Sequence, residues 1–177
     1  TSRETIRRDL ALLDRMGLLR RVHGGAVAAG PAALPPVEGP FSERMRQAVS
    51  AKRAIARHVA AGLKPGDSVF IDTGTTTLFL AEETARRSGM IVITNSADIA
   101  ATCQRGEGNR VVLLGGEFRG PGRETVGAMA VAQIAQLRAA QAILTVATVT
   151  ERGVFDIDPQ EAEVARAMAR QVDQVTV

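Results

Sequence analysis

The chain predicts an α/β protein, a mostly parallel sheet with helices packed on it, preceded by a short basic helix and hairpin that form only part of a separate module. Three observations carry this. Short apolar runs such as Met90-Ile91-Val92-Ile93 and Val111-Val112-Leu113-Leu114 suit strands covered on both faces. They alternate with segments of helical period, as parallel α/β proteins do. The chain's 177 residues, 45% of them hydrophobic, are enough for one such core and a small satellite domain.

In chain order, Arg3 to Leu10 reads as a helix entered through Ser2 as N-cap, with Ile6, Leu10, Leu13 and Met16 on one face and Gly17 as its stop. Leu18 to Val27 then reads as a hairpin turning at His23-Gly24-Gly25. Residues 1–27 hold six Arg against Glu4, Asp9 and Asp14, a surplus that equals the formal net charge of the whole chain, +3. Such a segment is the electrostatic footprint of a polyanion contact. A helix followed at once by a basic hairpin is the second half of a winged helix-turn-helix, whose helix enters the major groove. Twenty-seven residues would hold too little core to fold alone, so the chain is expected to lack the start of that module.

Residues 28–41, rich in Pro, Ala and Gly, read as a linker, and residues 42–177 as the second domain. Ser42 is expected to cap one long helix to Ala61, with Met45, Ala48, Val49, Ile55, Ala56 and Val59 as its stripe. Lys52 falls on that stripe, either snorkelling to water or reaching an anionic ligand. The expected elements that follow are strand 68–72, helix 75–88, strand 90–94, helix 97–105, strand 110–114, a glycine-rich loop, helix 128–138, strand 141–147, helix 160–171 and strand 174–177.

The stretch Val69 to Thr77 organises the second domain. A buried strand feeding through Gly74 into Thr75, Thr76 and Thr77 aims free backbone N–H groups and the positive end of a helix dipole at one point, which suits a phosphate or carboxylate. Threonines also cap helices for purely structural reasons. Ligands of parallel sheets bind beyond the carboxyl ends of the strands. The clusters Asp72–Thr77, Thr94-Asn95-Ser96 and Gly115-Gly116, the last followed by Arg119 and Arg123, therefore form one pocket if their strands are neighbours.

Several chemistries are disfavoured. Asp72-Thr73-Gly74 resembles an aspartic-protease string, but no second Asp-Thr-Gly supplies the partner carboxylate. The same string resembles a phosphate loop of sugar-kinase-type ATPases, yet no Gly-x-x-x-x-Gly-Lys-Ser/Thr is present. Asp156, Asp158, Glu161 and Glu163 read as a helix start, with Asp158 as N-cap, Pro159 at the first position and Glu161 at the third, ahead of a metal site. His23 and His58 lack ligand spacing, and Cys103 reads as a buried small residue. The absence of Trp and Tyr removes the usual stacking platform for single-stranded nucleic acid. No apolar run approaches a membrane span and no signal segment opens the chain, so a soluble, cytoplasmic protein is expected.

Thr5-Ile6-Arg7-Arg8-Asp9-Leu10 and Arg21-Val22-His23-Gly24-Gly25-Ala26 closely resemble the DNA-binding end of the DeoR family of bacterial transcriptional regulators. Ile71-Asp72-Thr73-Gly74-Thr75-Thr76, Thr94-Asn95-Ser96, Leu114-Gly115-Gly116, Val126-Gly127 and Glu161-Ala162-Glu163-Val164 resemble that family's sensor domain. The resemblance implies a Rossmann-like sheet similar to ribose-phosphate isomerases and CoA transferases, and a regulator, in all expectation a repressor of a carbohydrate operon, that responds to a phosphorylated sugar. It also implies that the family would continue beyond Val177 with a strand, an Asp and a Ser-Lys pair, so that part of the ligand site is expected to lie outside this sequence. At Gln141-Ala142 and Val146-Ala147-Thr148 the family pattern, an acidic residue followed by glycines, is not kept.

The expected roles follow. Ser2, Arg3, Thr5, Arg7 and Arg8 lie at or near the major groove of double-stranded operator DNA, with Arg20, Arg21 and His23 on the backbone. Lys52, Asp72, Gly74, Thr75, Thr76, Thr77, Asn95, Gly115 and Gly116 bind the effector. No cofactor, metal or catalytic residue is expected, and operator symmetry makes a homodimer or tetramer the default. One alternative is a sugar-phosphate isomerase, with Asp72, Glu117 or Glu124 as general base. Another is a plain oligomerisation or protein-binding module, for which the threonine loop would be superfluous.

Overall fold

A computed structural model of the chain describes residues 3–15, 19–22, 25–28 and 39–177. The chain divides into two compact units, Thr1–Glu38 and Gly39–Val177.

The first unit holds α1 (Arg3–Arg15) and the antiparallel pair β1 (Leu19–Val22) and β2 (Gly25–Ala28), with Val22 opposite Gly25 and Leu19 opposite Ala28. The hairpin thus forms as expected, and runs one residue into the expected linker. Leu10 and Leu13 are half-buried, whereas Ile6 is exposed. Ser2, Met16, Gly17, His23, Gly24 and linker residues 29–38 lie outside the described residues.

The second unit opens with a correction. The single helix expected from Ser42 to Ala61 is two, α2 (Phe41–Arg44) and α3 (Val49–Ala61), with Pro40 rather than Ser42 at the first N-cap. Ala48 breaks them apart in the left-handed region at φ 50°. The Arg44 carbonyl, which accepts the Gln47 N–H at 3.2 Å, also accepts from the Lys52 ammonium at 2.5 Å. A cation on the last carbonyls of a helix is a favourable C-terminal contact. Because the break shifts the helical phase, Ile55, expected on the stripe, is 51% exposed, while Ala56 and Ala60 are buried.

The remaining elements are β3 (Ser68–Ile71), α4 (Thr75–Thr84), β4 (Ile91–Thr94), α5 (Ala97–Cys103), β5 (Arg110–Leu113), β6 (Glu117–Arg119), β7 (Glu124–Val126), α6 (Ala128–Ile134), β8 (Gln141–Ile143), β9 (Thr148–Thr150), β10 (Gly153–Phe155), α7 (Pro159–Ala169) and β11 (Gln174–Thr176). Two antiparallel hairpins stand where no strand was expected, β6–β7 in the glycine-rich loop and β9–β10 between expected strand 141–147, which ends as β8 at Ile143, and expected helix 160–171. The main sheet has five parallel strands in the order β11-β8-β3-β4-β5.

The two-residue period of β3 divides the core. Val69 and Ile71 face a layer formed by Ala56, Ala60, Leu80, Ile99 and Cys103 from α3, α4 and α5. Phe70 faces Ala130, Ile134, Val164 and Met168 from α6 and α7. Both faces of β3 and β4 are covered, which accounts for strands with so little polar interruption; β5, at the edge, departs from that expectation and leaves Val112 37% and Leu113 47% exposed. Cys103 is fully buried, and burial pushes its thiol up to about 12. It packs as a small apolar side chain.

Candidate functional site

From β3 the chain moves through β4 to β5 on one side, then returns to place β8 on the other side of β3 and β11 beyond it. The β3/β8 boundary is therefore the topological switch point, where the crossovers diverge and leave a crevice at the carboxyl ends of the strands. Asp72, Thr73 and Gly74 leave β3 at this point, and Leu144 and Thr145 leave β8. The Thr145 hydroxyl donates to the Thr73 carbonyl at 2.6 Å, joining the two strand ends. Gly74 packs directly beneath it: a Cβ there would lie 2.4 Å from Thr145 Oγ1. The close approach explains the glycine.

Gly74 is the N-cap of α4 and offers no side chain to the helix. The amides of Thr75, Thr76 and Thr77 belong to the first turn, where no intrahelical acceptor exists, and they point out of the helix beside the switch point. Thr77 spends its hydroxyl on the Gly74 carbonyl at 3.1 Å, so its side chain braces the turn. Thr75 and Thr77 are buried and Thr76 is half-buried. On the α3 side a cavity of about 290 Å³ opens against this turn, lined among others by Ile55, Val59, Thr76, Thr77, Ile143 and Thr145.

The carboxyl ends of β3, β4 and β5 are neighbours, as the convergence of the three polar clusters requires. Asn95, fully buried at the end of β4, accepts the Thr73 N–H on Oδ1 at 3.1 Å, and Asp72 Oδ1 accepts the same N–H at 2.8 Å. Hairpin β6–β7 folds back over these ends. Thr125 N–H donates to the Asn95 carbonyl at 2.8 Å and the Thr125 hydroxyl to the Leu114 carbonyl at 2.7 Å, while Ser96 bridges to Glu124. The hairpin thereby brings Glu124 to Asp72. Both carboxyl groups are deeply buried, each residue 3% exposed. Burial pushes the Asp72 carboxyl up to about 8, and the charges of Glu124 and Asp156 add to this, against the pull of the Thr73 N–H and Asn95.

The acidic wall continues into α7. Asp158 caps that helix as expected, accepting from the Gln160 and Glu161 amides at 2.8 and 3.3 Å behind Pro159. It also accepts from Arg119 at 2.6 Å, and Arg119 reaches Gln160 as well. Burial, the Glu124 charge and the neighbouring aspartates push the Glu161 carboxyl up to about 8, and burial likewise raises Glu124. Among the described residues no group of three His, Cys, Asp or Glu has the arrangement of a metal site.

Of the other expected effector residues, Gly115 already donates its N–H to Gln133 Oε1 at 3.0 Å. Gly116, at φ 147°, lets the Val126 carbonyl come so close that a Cβ would meet it at 2.6 Å. These glycines hold hairpin β6–β7 in place. Lys52 lies one turn before Ala56, with its ammonium on the Arg44 carbonyl, and burial and the Arg44 charge lower its pKa. Sequence reasoning did not place Thr145 or Glu161 in the site, and it weighed Glu124 only as an enzyme's base. Thr145 stands where no helix-opening pattern marks it, and Glu161 has a sufficient local reading as the third residue of α7. On α1, Thr5, Arg7 and Arg8 are exposed. Arg3 lies in α1, and Arg20 and Arg21 lie in β1.

Comparison with known proteins bears on both units. The model of the DeoR C terminal sensor domain matches residues 47–177, and that of the DeoR-like helix-turn-helix domain matches residues 1–31. The chain is 37% identical over 175 residues to the transcriptional repressor AccR of Agrobacterium fabrum, covering 98% of this chain and 67% of that protein. It is 34% identical to the glycerol-3-phosphate regulon repressor of Escherichia coli, over 94% of this chain and 65% of that protein. To the lactose phosphotransferase system repressor of Lactococcus lactis it is 35% identical, over 89% and 62%. The chain thus spans about two thirds of the length of these relatives.

Proposed function

The chain belongs to the DeoR family, and from that premise we propose that it is part of a cytoplasmic, sequence-specific repressor of a carbohydrate-metabolism operon, modulated by a phosphorylated sugar. The observation that carries the ligand half is the position of Gly74–Thr77. The open amides of α4 stand at the switch point of the sheet, just beyond the buried Asp72 at the end of β3. The amides of Thr75–Thr77 receive the phosphate, and the Thr76 hydroxyl is free to add a donor. Asp72, Asn95 and Glu124 receive the sugar hydroxyls, and Lys52 exchanges the Arg44 carbonyl for the phosphate. Gly115 and Gly116 serve the site through the hairpin they hold. No helix among the described residues is long and apolar enough to cross a membrane.

The DNA half rests on the exposed side chains of α1 and on the basic surplus of residues 1–27. The relatives' repressor names and the helix-turn-helix match favour this reading over the isomerase alternative. Replacing a base-reading arginine costs about 1–3 kcal/mol and relaxes specificity, whereas replacing a backbone-contacting one weakens all sequences alike and flattens the salt slope by about one. Arg7→Ala and Arg8→Ala are expected in the first class and Arg21→Ala in the second. Titrations against an operator selected from random DNA distinguish them, and unchanged binding in all three removes the assignment.

The test of the whole is reciprocity. A coupling of about 1–3 kcal/mol between effector and operator changes affinity roughly 5–150-fold in both directions. Sugar-phosphate affinity of the intact protein, measured by calorimetry with and without operator, is expected to differ by such a factor. Equal affinities would mean that the pocket does not control DNA binding, and would bring the enzyme forward. Sugars lacking the phosphate are expected to bind far more weakly in the same titrations.

A further inference from the structure

We propose that the break at Ala48 is a two-state joint which the ligand closes: phosphate draws the Lys52 ammonium off the Arg44 carbonyl, and α2, residues 45–48 and α3 rewind into one helix. This rests on the phosphate reading given above and adds the element that the ligand would move. The broken form suits this stretch of chain poorly. Ala48 stands at φ 50° and ψ 35°, a left-handed conformation that a residue with a Cβ rarely holds. Met45, Arg46, Gln47 and Ala48 include no glycine or proline, and all four residue types tolerate a helix interior. No side chain caps α3, and among the described residues the amides of Ala48, Val49, Ser50 and Ala51 have no backbone acceptor. In a continuous helix the carbonyls of Arg44, Met45, Arg46 and Gln47 would accept from those four amides in turn.

What opposes rewinding is the Lys52 bond. Its ammonium donates at 2.5 Å to the Arg44 carbonyl, eight residues back in the chain. In a continuous helix eight residues span about 12 Å, farther than a lysine side chain reaches, so the bond exists only while the helix is broken. The two arrangements exclude each other, and a ligand that takes the ammonium shifts the balance between them. Lys52 lies one turn before Ala56, which lines the cavity beside the first turn of α4. Little else resists the change. No residue of α2 is buried. Met45, packed at the rim of the core, keeps its place on the stripe of a continuous helix, one turn before Val49. Gly39 and Pro40, which open this unit, move with α2, so the ligand resets the direction from which the chain enters it.

The test is amide hydrogen exchange at residues 48–51 of the intact protein, with calorimetry on the same samples and with inorganic phosphate, glycerol 3-phosphate and glucose 6-phosphate as probes. These amides are expected to exchange fast in the free protein and about 10-fold or more slowly once a probe is bound, because each then has a helical acceptor. Lys52→Met removes the ammonium and suits a helix, and it is expected to slow the same amides with no probe present. Ala48→Gly accommodates φ 50° and weakens a continuous helix, and it is expected to lessen the slowing that a probe causes. A probe that binds without slowing residues 48–51 overturns the joint and leaves the phosphate reading standing. Unchanged exchange in Lys52→Met also overturns the joint, whether or not any probe binds. Failure of all three probes to bind overturns the phosphate reading and, with it, the ligand's part in closing the joint.

Discussion

Gly74→Ala is expected to weaken binding of any phosphate ester at least 100-fold and to lower stability by about 1–3 kcal/mol. The added Cβ would sit 2.4 Å from Thr145 Oγ1 and 2.8 Å from its Cγ2, so either Thr145 rotates or the turn moves. Rotation breaks the 2.6 Å bond from Thr145 to the Thr73 carbonyl, at about 1 kcal/mol plus an unsatisfied buried acceptor. Movement misaims the amides of Thr75–Thr77, and a misplacement of about 1 Å in a preorganised site is enough for a 100-fold loss. Adding Thr145→Ala removes the two closest atoms and is expected to restore part of both losses. Calorimetry and urea melts on the single and double variants decide this. Unchanged ligand affinity in Gly74→Ala would place the phosphate elsewhere.

Asp72→Asn is expected to raise stability at neutral and alkaline pH, by a margin that grows with pH. The folded carboxyl titrates at about 8 and the unfolded one near the ordinary 3.8. Below about pH 4 both states are protonated and the group has no effect. As pH rises from there towards 8 the unfolded state loses its proton and the folded state keeps it, so the native protein loses stability, on the order of 1 kcal/mol per pH unit at most. Asparagine does not titrate, and its Oδ1 still accepts the Thr73 N–H. Melting midpoints of the two proteins should coincide near pH 4 and diverge up to pH 8. Parallel curves would show that Asp72 is ionised in the native state throughout. The same variant is expected to bind the sugar phosphate less well, so that stability and ligand affinity move in opposite directions.

What the sequence reveals of this fold depends on how local each feature is. β3 and β4 are legible because a strand covered on both faces shows itself as an apolar run, β5 because its run is equally apolar although it lies exposed at the sheet edge, and the start of α7 because Asp158-Pro159 with Glu161 is a complete cap in one place. The break at Ala48 is not legible: no glycine or proline marks it, and Lys52, which bridges it by donating to the Arg44 carbonyl, is eight residues from that carbonyl in the chain. Hairpin β6–β7 is hidden because three-residue strands carry almost no periodic signal and Gly120 and Gly122 lie between them. The threonine turn, Asp72 and Asn95 are readable as neighbours at one end of the sheet because each closes or follows a strand. Glu124 enters only through the fold-back of that hairpin, and Thr145 only through β8, whose departure from the family's acidic and glycine pattern concealed that this strand end still contributes a hydroxyl.

The seam between β3 and β8 also sets an order of events. Thr73 and Thr145 are 72 residues apart, whereas β3, β4 and β5 follow one another through short crossovers, so the half-sheet β3–β4–β5 can assemble before β8 is in place. Closing the longer loop costs only about 1 kcal/mol more than closing the short crossovers, and that closure brings the two strand ends of the candidate site together. A ligand held across that seam binds only the completed sheet and stabilises it by mass action. A ligand bound there is therefore expected to slow proteolysis of the intact protein as its concentration rises, which pulse proteolysis measures.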